Sequence, residues 1–583
     1  MLRVRSTHAV LVLVVLALAL PAVAGTTTNS SDNLRTGWYP DQPFVPPSVV
    51  NNATFGKIAD VAINGQVYAQ PLYANGVLLV ATETNWIYGI DPDSGLLMWS
   101  RQVAVPWNAS DIGCGDLTPT IGITGTPVIN EATNTAYFVA KTYASGTSGP
   151  AAVFMHAIDL TSGTEKAGWP VQIQGNAQNN AALAFNPFRT HQRPGLLLLD
   201  GVVYAAFGSH CDFGPWQGWV AGVSEAGQLK ALWTTMASGT TTSGAAIWAG
   251  GAGLVSDGAG RIFFATGNGG ASSTARAGNN PLPNCGECVE RLAVQADGTL
   301  RAVDFFSPSN ATNLDAVDLD LGSGGPIALP SAYFGTATYP NLLAHIGKQG
   351  VVLMMNRDNL GGIKQAPGSQ DNVITKTGPY GGIWGRPAIW PGDGGYMYVA
   401  ESGVLRAHKY QLDGTGKPSF ATAGTSTENF AFSASSPIIT SDGTTSGSAL
   451  VWVVWMNNGG GTGAELRAYD TLPVGGTVVK RWSAAVGTAT KFGSVGVAKN
   501  RLWVGTRDGH LLGFGTPATS VTVTKTAGAV HVAWTGGAAP FTLRRSEDGK
   551  FTVNVTKLVD KQPATAFDDP VLNDGKNYFY LVN

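Results

Sequence analysis

Four cysteines are the residues whose types and spacing point most directly to chemistry. Cys285 and Cys288 form a CxxC pair, while Cys114 and Cys211 stand apart. In an exported chain four cysteines predict two disulfides, with three possible connectivities. A zinc half-site at the CxxC is the alternative, although no second ligand pair with zinc spacing is present. Val289 follows the CxxC where covalent haem attachment needs a histidine, so this motif excludes c-type haem.

A second group of residues combines aromatic rings with polar side chains. Rings that converge on one opening suit a flat ligand such as a quinone or a sugar, which the polar groups would orient. The alternative is that the same rings pack between structural repeats. The candidates for this binding surface are Trp248, Trp384, Arg386, His210, Asp212, Asn268, Phe432 and Phe492.

His210 and Asp212 flank Cys211 and could act as an acid–base pair. The alternative is a structural histidine in a loop, because residues two apart in a loop need not face each other. Asp358, in NRDNLGG, is interpreted as a turn residue, since Asp, Asn and Gly favour tight turns. The sequence therefore assigns no catalytic residue and no metal ligand.

A recurring hairpin pattern must position these residues. In residues 87–99, IYGIDPDSGLLMW, an apolar alternation leads into a turn-forming cluster and a second apolar run. Weaker copies occur at 155–169, 220–233, 291–303 and 466–482. A second mark, a small residue or turn that leads into an apolar strand, occurs eight times. These marks lie 50 to 74 residues apart, at Pro71, Pro127, Pro194, Ala252, Pro326, Pro387, Pro437 and Val495.

This spacing suits a four-stranded sheet with its loops and is too long for one turn of a solenoid. The sequence therefore predicts an all-β fold, an eight-bladed β-propeller with four-stranded blades. The 76 glycines, 16 tryptophans and only 13% charged residues agree with sheets that bury both faces. The strands predicted for the first blade cover residues 71–73, 77–81, 86–90 and 96–101.

The last repeat shows only about three strands before residue 515, while the segment 55–63, FGKIADVAI, has no partner of its own. We expect this segment to supply the missing outer strand and close the ring, which removes exposed sheet edges. The predicted domains are a signal peptide over 1–24, an N-terminal extension over 25–54, the propeller over 55–515 and a small β-sandwich over 516–583.

The propeller topology also sorts the candidate residues by face. Loops that join the fourth strand of one blade to the next blade open on the same face as loops between second and third strands. All four cysteines fall on that face. The preferred pairs are Cys285 with Cys288 and Cys114 with Cys211, because the second pair joins neighbouring blades. The eight candidate binding residues collect at the channel mouth on the same face.

The N-terminus predicts export. Arg3 and Arg5 precede an apolar run over 9–20 and an Ala22-Val23-Ala24 cleavage site, and twelve apolar residues are too few to span a bilayer. We therefore expect a secreted or extracellular protein, periplasmic or at the cell surface in a bacterium, monomeric and without a transmembrane segment. Sequons that a eukaryotic source would glycosylate occur at Asn29, Asn52, Asn108, Asn310 and Asn554.

The charge balance argues against nucleic acid as a partner. Without the signal peptide the chain has 34 Lys and Arg against 38 Asp and Glu, a net charge of about −4, and no basic run.

After residue 515 the sequence becomes Thr-rich and alternating. Trp534, and Tyr578 and Tyr580 near the end, resemble core positions of a fibronectin type III-like sandwich. The segment is minimal or incomplete, since such sandwiches have roughly 100 residues.

The repeats resemble those of pyrroloquinoline quinone (PQQ) dehydrogenases and their relatives. SHCDFGPWQGWVAG, IWAGGAGLVSDGAGRIFFATGNG, LGSGGPIALP, NRDNLGG and IWGRPAIW look more like a group of secreted PQQ-like propeller proteins. The resemblance covers about residues 35–515. The dehydrogenases commonly carry an adjacent Cys-Cys pair beside the quinone, and this chain has none. No catalytic or calcium-binding residue is carried over from that family.

Two functions follow as expectations. The first is a non-catalytic propeller that binds extracellular carbohydrate or protein, with no cofactor. The alternative is a PQQ- and calcium-dependent oxidoreductase that acts on an extracellular sugar or alcohol, an activity that the retained repeats and aromatic mouth imply through the resemblance. The missing cysteine pair favours binding.

Overall fold

The structure is a computed structural model, and it describes residues 25–239, 243–258, 260–517, 520–525, 529–535, 541–547, 555–570 and 579–582. The predicted signal peptide over 1–24 lies outside these residues, as do Asn554 and Tyr578.

Small antiparallel sheets follow one another along residues 56–515 and form a β-propeller. Sheet 1 contains Leu72–Ala74, Val77–Ala81, Trp86–Ile90 and Leu97–Gln102. Sheet 2 contains Val128–Asn130, Thr135–Tyr143, Ala151–Asp159 and Val171–Gln172. Sheet 3 contains Leu197–Leu199 and Thr190–His191, both paired with Val202–Ser209, then Trp219–Ser224 and Leu229–Thr234. Sheet 4 contains Arg261–Ala265, Val289–Val294 and Leu300–Phe306.

The second half of the propeller repeats this arrangement. Sheet 5 contains Ile327–Ala328, Leu342–His345, Val352–Asn356 and Thr375–Thr377. Sheet 6 contains Ala388–Trp390, Tyr396–Ala400, Leu405–Leu412 and Pro418–Thr425. Sheet 7 contains Ile438–Thr440, Leu450–Trp455, Thr462–Asp470 and Lys480–Thr488, with Trp38–Tyr39 added in parallel to its inner strand. Sheet 8 contains Gly496–Ala498, Arg501–Gly505, His510–Gly515 and Gly56–Ala62.

Short elements occupy the connections. Two-stranded hairpins pair Trp107–Asn108 with Thr120–Ile121 and Asn176–Ala177 with Asn180–Ala184. The α-helices are Ala311–Ala316 and Ser331–Phe334, and the 3-10 turns are Ala109–Asp111, Ala249–Gly251, Leu321–Ser323 and Gly392–Gly394. Within the described residues no helix is both long enough and apolar enough to cross a membrane.

The first sheet shows how the sequence pattern produces these elements. The strand Val77–Ala81 is buried at every position, as expected of a strand with sheets on both sides. The turn after the third strand closes because Asp91 Oδ1 accepts a hydrogen bond from Asp93 N at 2.8 Å and Gly95, at φ 72°, tolerates the left-handed conformation. All four observed strands lie within one residue of the predicted bounds.

Apolar clusters fill the space between successive sheets. Separate clusters lie between each consecutive pair from sheets 1 and 2 to sheets 7 and 8. A further cluster joins sheet 8 to sheet 1 and contains Tyr73, Leu78, Trp503 and Leu511. The first and last sheets are therefore packed neighbours in the same way as the others.

The strand predicted over 55–63 is observed as Gly56–Ala62. It pairs antiparallel with His510–Gly515, with Val61 opposite Leu511 and Ala62 opposite His510. The N-terminal part of the chain thus supplies the outer strand of the last sheet.

Part of the N-terminal extension packs against the inner strands of the propeller. Residues 25–39, the channel segment, run along the innermost strands at the centre of the ring. Backbone oxygens of Thr26, Thr27 and Leu34 accept hydrogen bonds from sheets 1, 2 and 5 at 3.0, 2.7 and 2.9 Å. Those of Thr36 and Gly37 accept from sheets 6 and 7 at 3.0 and 2.7 Å. These bonds satisfy inner-strand N–H groups that have no neighbouring strand.

Two predictions need correction. Sheet 4 has three strands rather than four, because its innermost strand is reduced to a single bridge between Val255 and Phe263. Glycosylation at Asn29 does not fit the fold. Its side chain is fully buried and Nδ2 donates to Gly251 O at 3.2 Å, so a glycan has no access. Asn52 and Asn108 are exposed and Asn310 is partly exposed.

The C-terminal residues form two further three-stranded sheets. One contains Ser520–Lys525, Val530–Thr535 and Ala566–Asp569, and the other contains Thr556–Gln562, Phe541–Ser546 and Phe579–Val582. Trp534 is buried in a small cluster with Val532, Leu543 and Val559, and Tyr580 packs against that cluster.

Candidate functional site

A pocket of about 260 Å³ opens where loops from seven sheets converge at one end of the ring. We call it the mouth pocket. Four aromatic side chains line it, Trp248, Trp384, Phe432 and Phe492. The charged side chains that line it are Asp116, Arg193, Asp212, Asp318, Asp320, Lys348 and Lys491. The aromatic convergence proposed from the sequence is therefore present in the structure, together with Asp212.

The floor of the pocket is backbone. Gly250, in the turn Ala249–Gly251, has φ 48° and lies at the centre of the ring. A Cβ atom there would lie 1.8 Å from Trp384 O and 2.6 Å from Ser323 O. Only glycine allows the loop of sheet 4 to meet the loops of sheets 5 and 6 this closely.

The aromatic side chains form a wall that remains partly open to solvent. The ring centroids of Trp384 and Phe432 are 5.1 Å apart, and those of Phe432 and Phe492 are 6.1 Å apart. Phe432 is 39% exposed, which is unusual for a large apolar side chain with aromatic neighbours. Trp248 packs edge-on to His191, with centroids 6.2 Å apart. Exposed rings of this kind offer apolar faces to a flat ligand.

Most of the lining charges are paired. Lys491 Nζ lies 3.2 Å from Asp116 Oδ1, and Lys348 Nζ lies 2.8 Å from carboxylate oxygens of both Asp318 and Asp320. Arg193 donates to Lys491 O at 3.0 Å and places its guanidinium 5.1 Å from the ring centroid of Phe492.

Asp212 is the lining carboxylate that makes no ion pair within the described residues. It accepts a hydrogen bond from Ser209 Oγ at 2.7 Å, and burial raises its pKa above the ordinary range. A carboxylate with a raised pKa and no paired cation is a suitable proton acceptor.

Two disulfides are present, Cys114–Cys211 and Cys285–Cys288, with Cα–Cα distances of 5.7 and 5.6 Å. The predicted pairing is confirmed, and no cysteine is free. The bridge at Cys114–Cys211 ties together the loops that carry Asp116 and Asp212. It thus holds two neighbouring loops of the mouth pocket together.

His210 lies away from the lining. It is buried, its Nε2 is 2.8 Å from Lys141 Nζ, and its ring stacks on His191 at 4.8 Å. Burial lowers the pKa of His210 far below its ordinary value. The structure provides no hydrogen bond between His210 and Asp212, so the structural-histidine alternative describes it better than the acid–base pair.

Arg386 is also placed below the pocket rather than on its surface. It is 1% exposed and donates to Pro387 O and Pro437 O, each at 3.0 Å, and to Ser30 Oγ of the channel segment. Burial lowers its pKa to about 10. Arg386 therefore fastens the channel segment to sheets 6 and 7. Asn268 lies behind the lining and donates to Asp318 Oδ1 at 2.8 Å.

The sequence analysis missed Gly250, Ser323 and six charged lining residues: Asp116, Arg193, Asp318, Asp320, Lys348 and Lys491. Arg193 precedes Pro194 as Arg386 precedes Pro387, so the repeat pattern alone could have indicated Arg193 as readily as Arg386. Lys348 lies in the loop between the second and third strands of sheet 5, on the face that the topology rule selects. No signal in the sequence separated Asp318 and Asp320 from ordinary loop acids.

A second pocket of about 470 Å³ shares a wall with the mouth pocket. Asp318, Asp320 and Lys348 line the mouth pocket, whereas their neighbours Leu319, Leu321, Gly347 and Gln349 line the second pocket. Successive residues of these two segments therefore face opposite pockets. The wall between the pockets is charged on the side of the mouth pocket and largely apolar on the side of the second pocket.

Comparisons with known proteins place the fold. No family model matches the chain. It is 32% identical over 105 residues to the dehydrogenase subunit of the alcohol dehydrogenase (quinone) of Gluconobacter oxydans (strain 621H), covering 16% of this chain and 14% of that protein. The corresponding subunit of Gluconacetobacter polyoxogenes is 30% identical over 83 residues, covering 13% and 11%. The matches thus span a small part of these relatives' own length.

Solved structures match over most of the chain. The quinohemoprotein alcohol dehydrogenase of Comamonas testosteroni has a TM-score of 0.55 at 14% identity, covering 86% of this chain and 82% of that one. That of Pseudomonas putida HK5 has a TM-score of 0.53 at 13% identity, covering 88% and 76%. The fold is the propeller of the quinoprotein alcohol dehydrogenases. The resemblance stated from the sequence is confirmed at the level of fold.

The lining of the mouth pocket fits a flat quinone. Aromatic faces flank a backbone floor, and Arg193 and Lys491 supply cations at one side for carboxylate groups. It does not fit a calcium ion, which needs six to eight oxygen ligands. Lys348 already bridges Asp318 and Asp320, and no group of three or more His, Cys, Asp or Glu side chains in the described chain is arranged to hold a metal.

Proposed function

We propose that the chain is a quinone-dependent oxidoreductase that oxidises a CH–OH group of an extracellular alcohol or sugar in the mouth pocket. The observation that carries the proposal is the pocket itself, in which four aromatic side chains and an unpaired carboxylate converge at one end of the ring. Matched segments of two quinone alcohol dehydrogenases support the same reaction class.

The aromatic residues would hold the cofactor. Trp384 and Phe432 form a connected wall, and Trp248 stands at the floor beside Gly250. Arg193 and Lys491 would bind carboxylate groups at the edge of a ring such as PQQ, with Arg193 able to form two parallel hydrogen bonds. The floor is closed beneath, where Asn29 of the channel segment bonds to Gly251 O. Cofactor and substrate would therefore enter from the same side.

When bound, a quinone of this class accepts two electrons and two protons from the alcohol, which becomes a carbonyl. Asp212 would accept the hydroxyl proton of the substrate first and then release it for uptake by the reduced quinone, so that both protons are accounted for. Its raised pKa favours taking up that proton, and Ser209 fixes the orientation of the carboxylate. The partly exposed Phe432 would keep water from one side of the reacting carbon.

Reconstitution tests the proposal. The purified protein is incubated with PQQ and assayed with an artificial electron acceptor against a panel of alcohols and sugars. We expect turnover that Asp212→Asn lowers by about 10² to 10⁴-fold, the usual contribution of a general base. The control Asp508→Asn removes a carboxylate of a loop outside the pocket lining and should retain activity. An absence of turnover with bound PQQ would refute the oxidoreductase.

Carbohydrate binding without chemistry is the second candidate, and the charge of the pocket favours it. Four carboxylates and three cations line the pocket, and carboxylates beside aromatic rings suit the hydroxyl groups and apolar faces of a neutral sugar. Glycans that protect tryptophan fluorescence from quenching, with no effect of PQQ, would favour this function over the oxidoreductase.

The architecture supports further proposals. We infer that sheets 1–8 are the blades of a closed eight-bladed ring over 55–515 and that the two C-terminal sheets form a small β-sandwich over 516–583. We also infer an exported protein, secreted or periplasmic, because disulfides form and persist in oxidising compartments. The monomeric state stays a prediction from the sequence.

A further inference from the structure

Lys348 lies between two carboxylates of the mouth pocket, those of Asp318 and Asp320. Its Nζ lies 2.8 Å from Asp318 Oδ1 and 2.8 Å from Asp320 Oδ2, and its side chain is only 14% exposed. Burial alone would lower the pKa of Lys348, but the two carboxylates raise it above the ordinary value. The ammonium group is therefore charged at neutral pH and bridges two acids that would otherwise repel each other.

An amide and two further carboxylates surround these groups. Asn268 donates through Nδ2 to Asp318 Oδ1 at 2.8 Å and through its backbone N to Asp320 Oδ1 at 3.2 Å. Asp212 lines the same pocket from a neighbouring loop, and Glu287 lies behind, where it accepts a backbone hydrogen bond at 2.6 Å. A small, hard cation is bound by carboxylate and amide oxygens of this kind.

We propose that the ammonium group of Lys348 is a built-in cation that takes the place of a divalent metal ion in the mouth pocket, so that the pocket is independent of calcium. Its significance for catalysis rests on the proposed function. The replacement of a metal ion by the Lys348 ammonium group does not depend on that function and can be tested separately.

The geometry explains why the two cations exclude each other. Ca²⁺ binds oxygens at about 2.3 to 2.6 Å, so an ion held by Asp318 and Asp320 would occupy the space of the Lys348 ammonium or touch it. Like charges at such a distance repel strongly in a partly buried site. The lysine must leave before a metal ion can enter.

Removing the ammonium group should therefore create a metal site. Lys348→Ala leaves the largely buried Asp320 and the exposed Asp318 without a cation, and we expect its Tm in EDTA to fall by a few degrees. About 10 mM calcium should restore most of that loss. Terbium, which replaces calcium at oxygen sites, should show tryptophan-sensitised luminescence with a Kd of about 0.1 to 1 mM, the range of weak calcium sites.

Matched variants separate this role from a merely structural one. Lys376→Ala removes a lysine that pairs with one carboxylate, Asp371, at 2.8 Å, and should respond to neither ion. Lys348→Arg retains the positive charge and should behave like the parent. Adding Asp320→Asn to Lys348→Ala removes a ligand, and we expect this double variant to lose the rescue by calcium.

The parent protein should show the same Tm in EDTA and in calcium. A calcium-dependent rise in the Tm of the parent, reversed by EDTA, would overturn the proposal. So would a Lys348→Ala protein that binds no terbium and gains no stability from calcium. None of these measurements contains a quinone, so a failure of quinone binding would affect the proposed function and leave this inference standing.

Discussion

At the scale of single residues, buried arginine side chains bind backbone oxygens at the centre of the ring. Arg35 is fully buried and donates to Leu254 O at 2.8 Å, Leu196 O at 2.9 Å and Asn29 O at 2.8 Å. Burial lowers its pKa to about 9, so the side chain is still charged at neutral pH. Without the guanidinium, Leu254 O and Asn29 O would lose the bonds that Arg35 donates, and Leu196 O would keep only a 3.4 Å bond from Thr28 Oγ1.

We expect Arg35→Met to lower the free energy of unfolding by about 3 to 5 kcal/mol, because a methionine fills the space but satisfies none of these carbonyls. Urea unfolding measures the change. Arg101→Met, on a side chain that is 40% exposed, is the control and should stay within about 0.5 kcal/mol of the parent. Equal effects of the two substitutions would contradict the assigned role of Arg35.

A buried glutamate predicts how stability depends on pH. Glu290 lies on the central strand of sheet 4, is 1% exposed, and burial raises its pKa to about 8. The folded protein therefore holds this proton between about pH 4.5 and 8, where the unfolded chain has lost it. Stability contributed by the protonated group is lost as the pH rises through this window.

Glu290→Gln should flatten this loss, because the amide keeps the shape of the neutral acid. The Tm of the variant should rise relative to the parent from pH 5 to pH 8, and the exposed Glu131→Gln should leave the profile unchanged. Thermal scans at several pH values measure it. A constant difference between Glu290→Gln and the parent across this range would show that Glu290 does not titrate in the folded protein.

The residue types alone could not distinguish an arginine that lines the pocket from a buried arginine that binds the channel segment. Arg193 and Arg386 each precede a proline that begins an inner strand. Arg193 reaches the pocket, whereas Arg386 is buried because Ser30 of the channel segment lies against it. That contact joins residues far apart in the chain, and no local pattern encodes it.

At the scale of elements, local patterns predicted the strands and failed for the channel segment. The first sheet was predictable since alternation and turn residues agree there. Residues 25–39 are largely polar and have no strand period, so the sequence placed them only in an N-terminal extension over 25–54. They are buried or half-buried, because their backbone oxygens accept hydrogen bonds from the inner strands. Backbone groups are the same in every sequence, so no residue pattern reports these bonds.

The floor of the pocket gives a test at this scale. Gly250→Ala would place a Cβ atom 1.8 Å from Trp384 O and should lower the Tm by several degrees and weaken ligand binding. Gly76→Ala is the matched control, since Gly76 also has positive φ, 81°, but no atom lies within 4 Å of the added Cβ. Thermal scans of both proteins separate the steric clash from the backbone strain. Equal losses would mean that the floor is not packed as described.

For the whole molecule, the proposed closure of the ring depends on one strand pair, Gly56–Ala62 with His510–Gly515. Ala62 lies opposite His510 in the pair that completes sheet 8. A disulfide between Ala62→Cys and His510→Cys should form on oxidation and raise the stability by about 2 to 4 kcal/mol, since it restricts a very long loop in the unfolded chain. Peptide mapping and Tm with and without reductant test this.

The control for this staple shifts the register. Lys57→Cys with His510→Cys places the sulfurs well out of register, because Lys57 lies opposite Phe514, and we expect little cross-linking. Efficient cross-linking of the shifted pair, or none of the matched pair, would show that the outer strand of sheet 8 is paired differently.

The mouth pocket is the central claim, and titration of PQQ into the protein in EDTA, followed by tryptophan fluorescence, tests it most directly. We predict saturable quenching at one site per chain without calcium. Trp384→Ala should weaken it about tenfold, since loss of a stacked ring costs roughly 0.5 to 1.5 kcal/mol beyond the buried area. Trp455→Ala, outside the pocket lining, should leave the affinity unchanged. No binding, or binding that appears only with calcium and survives Trp384→Ala, would contradict the account.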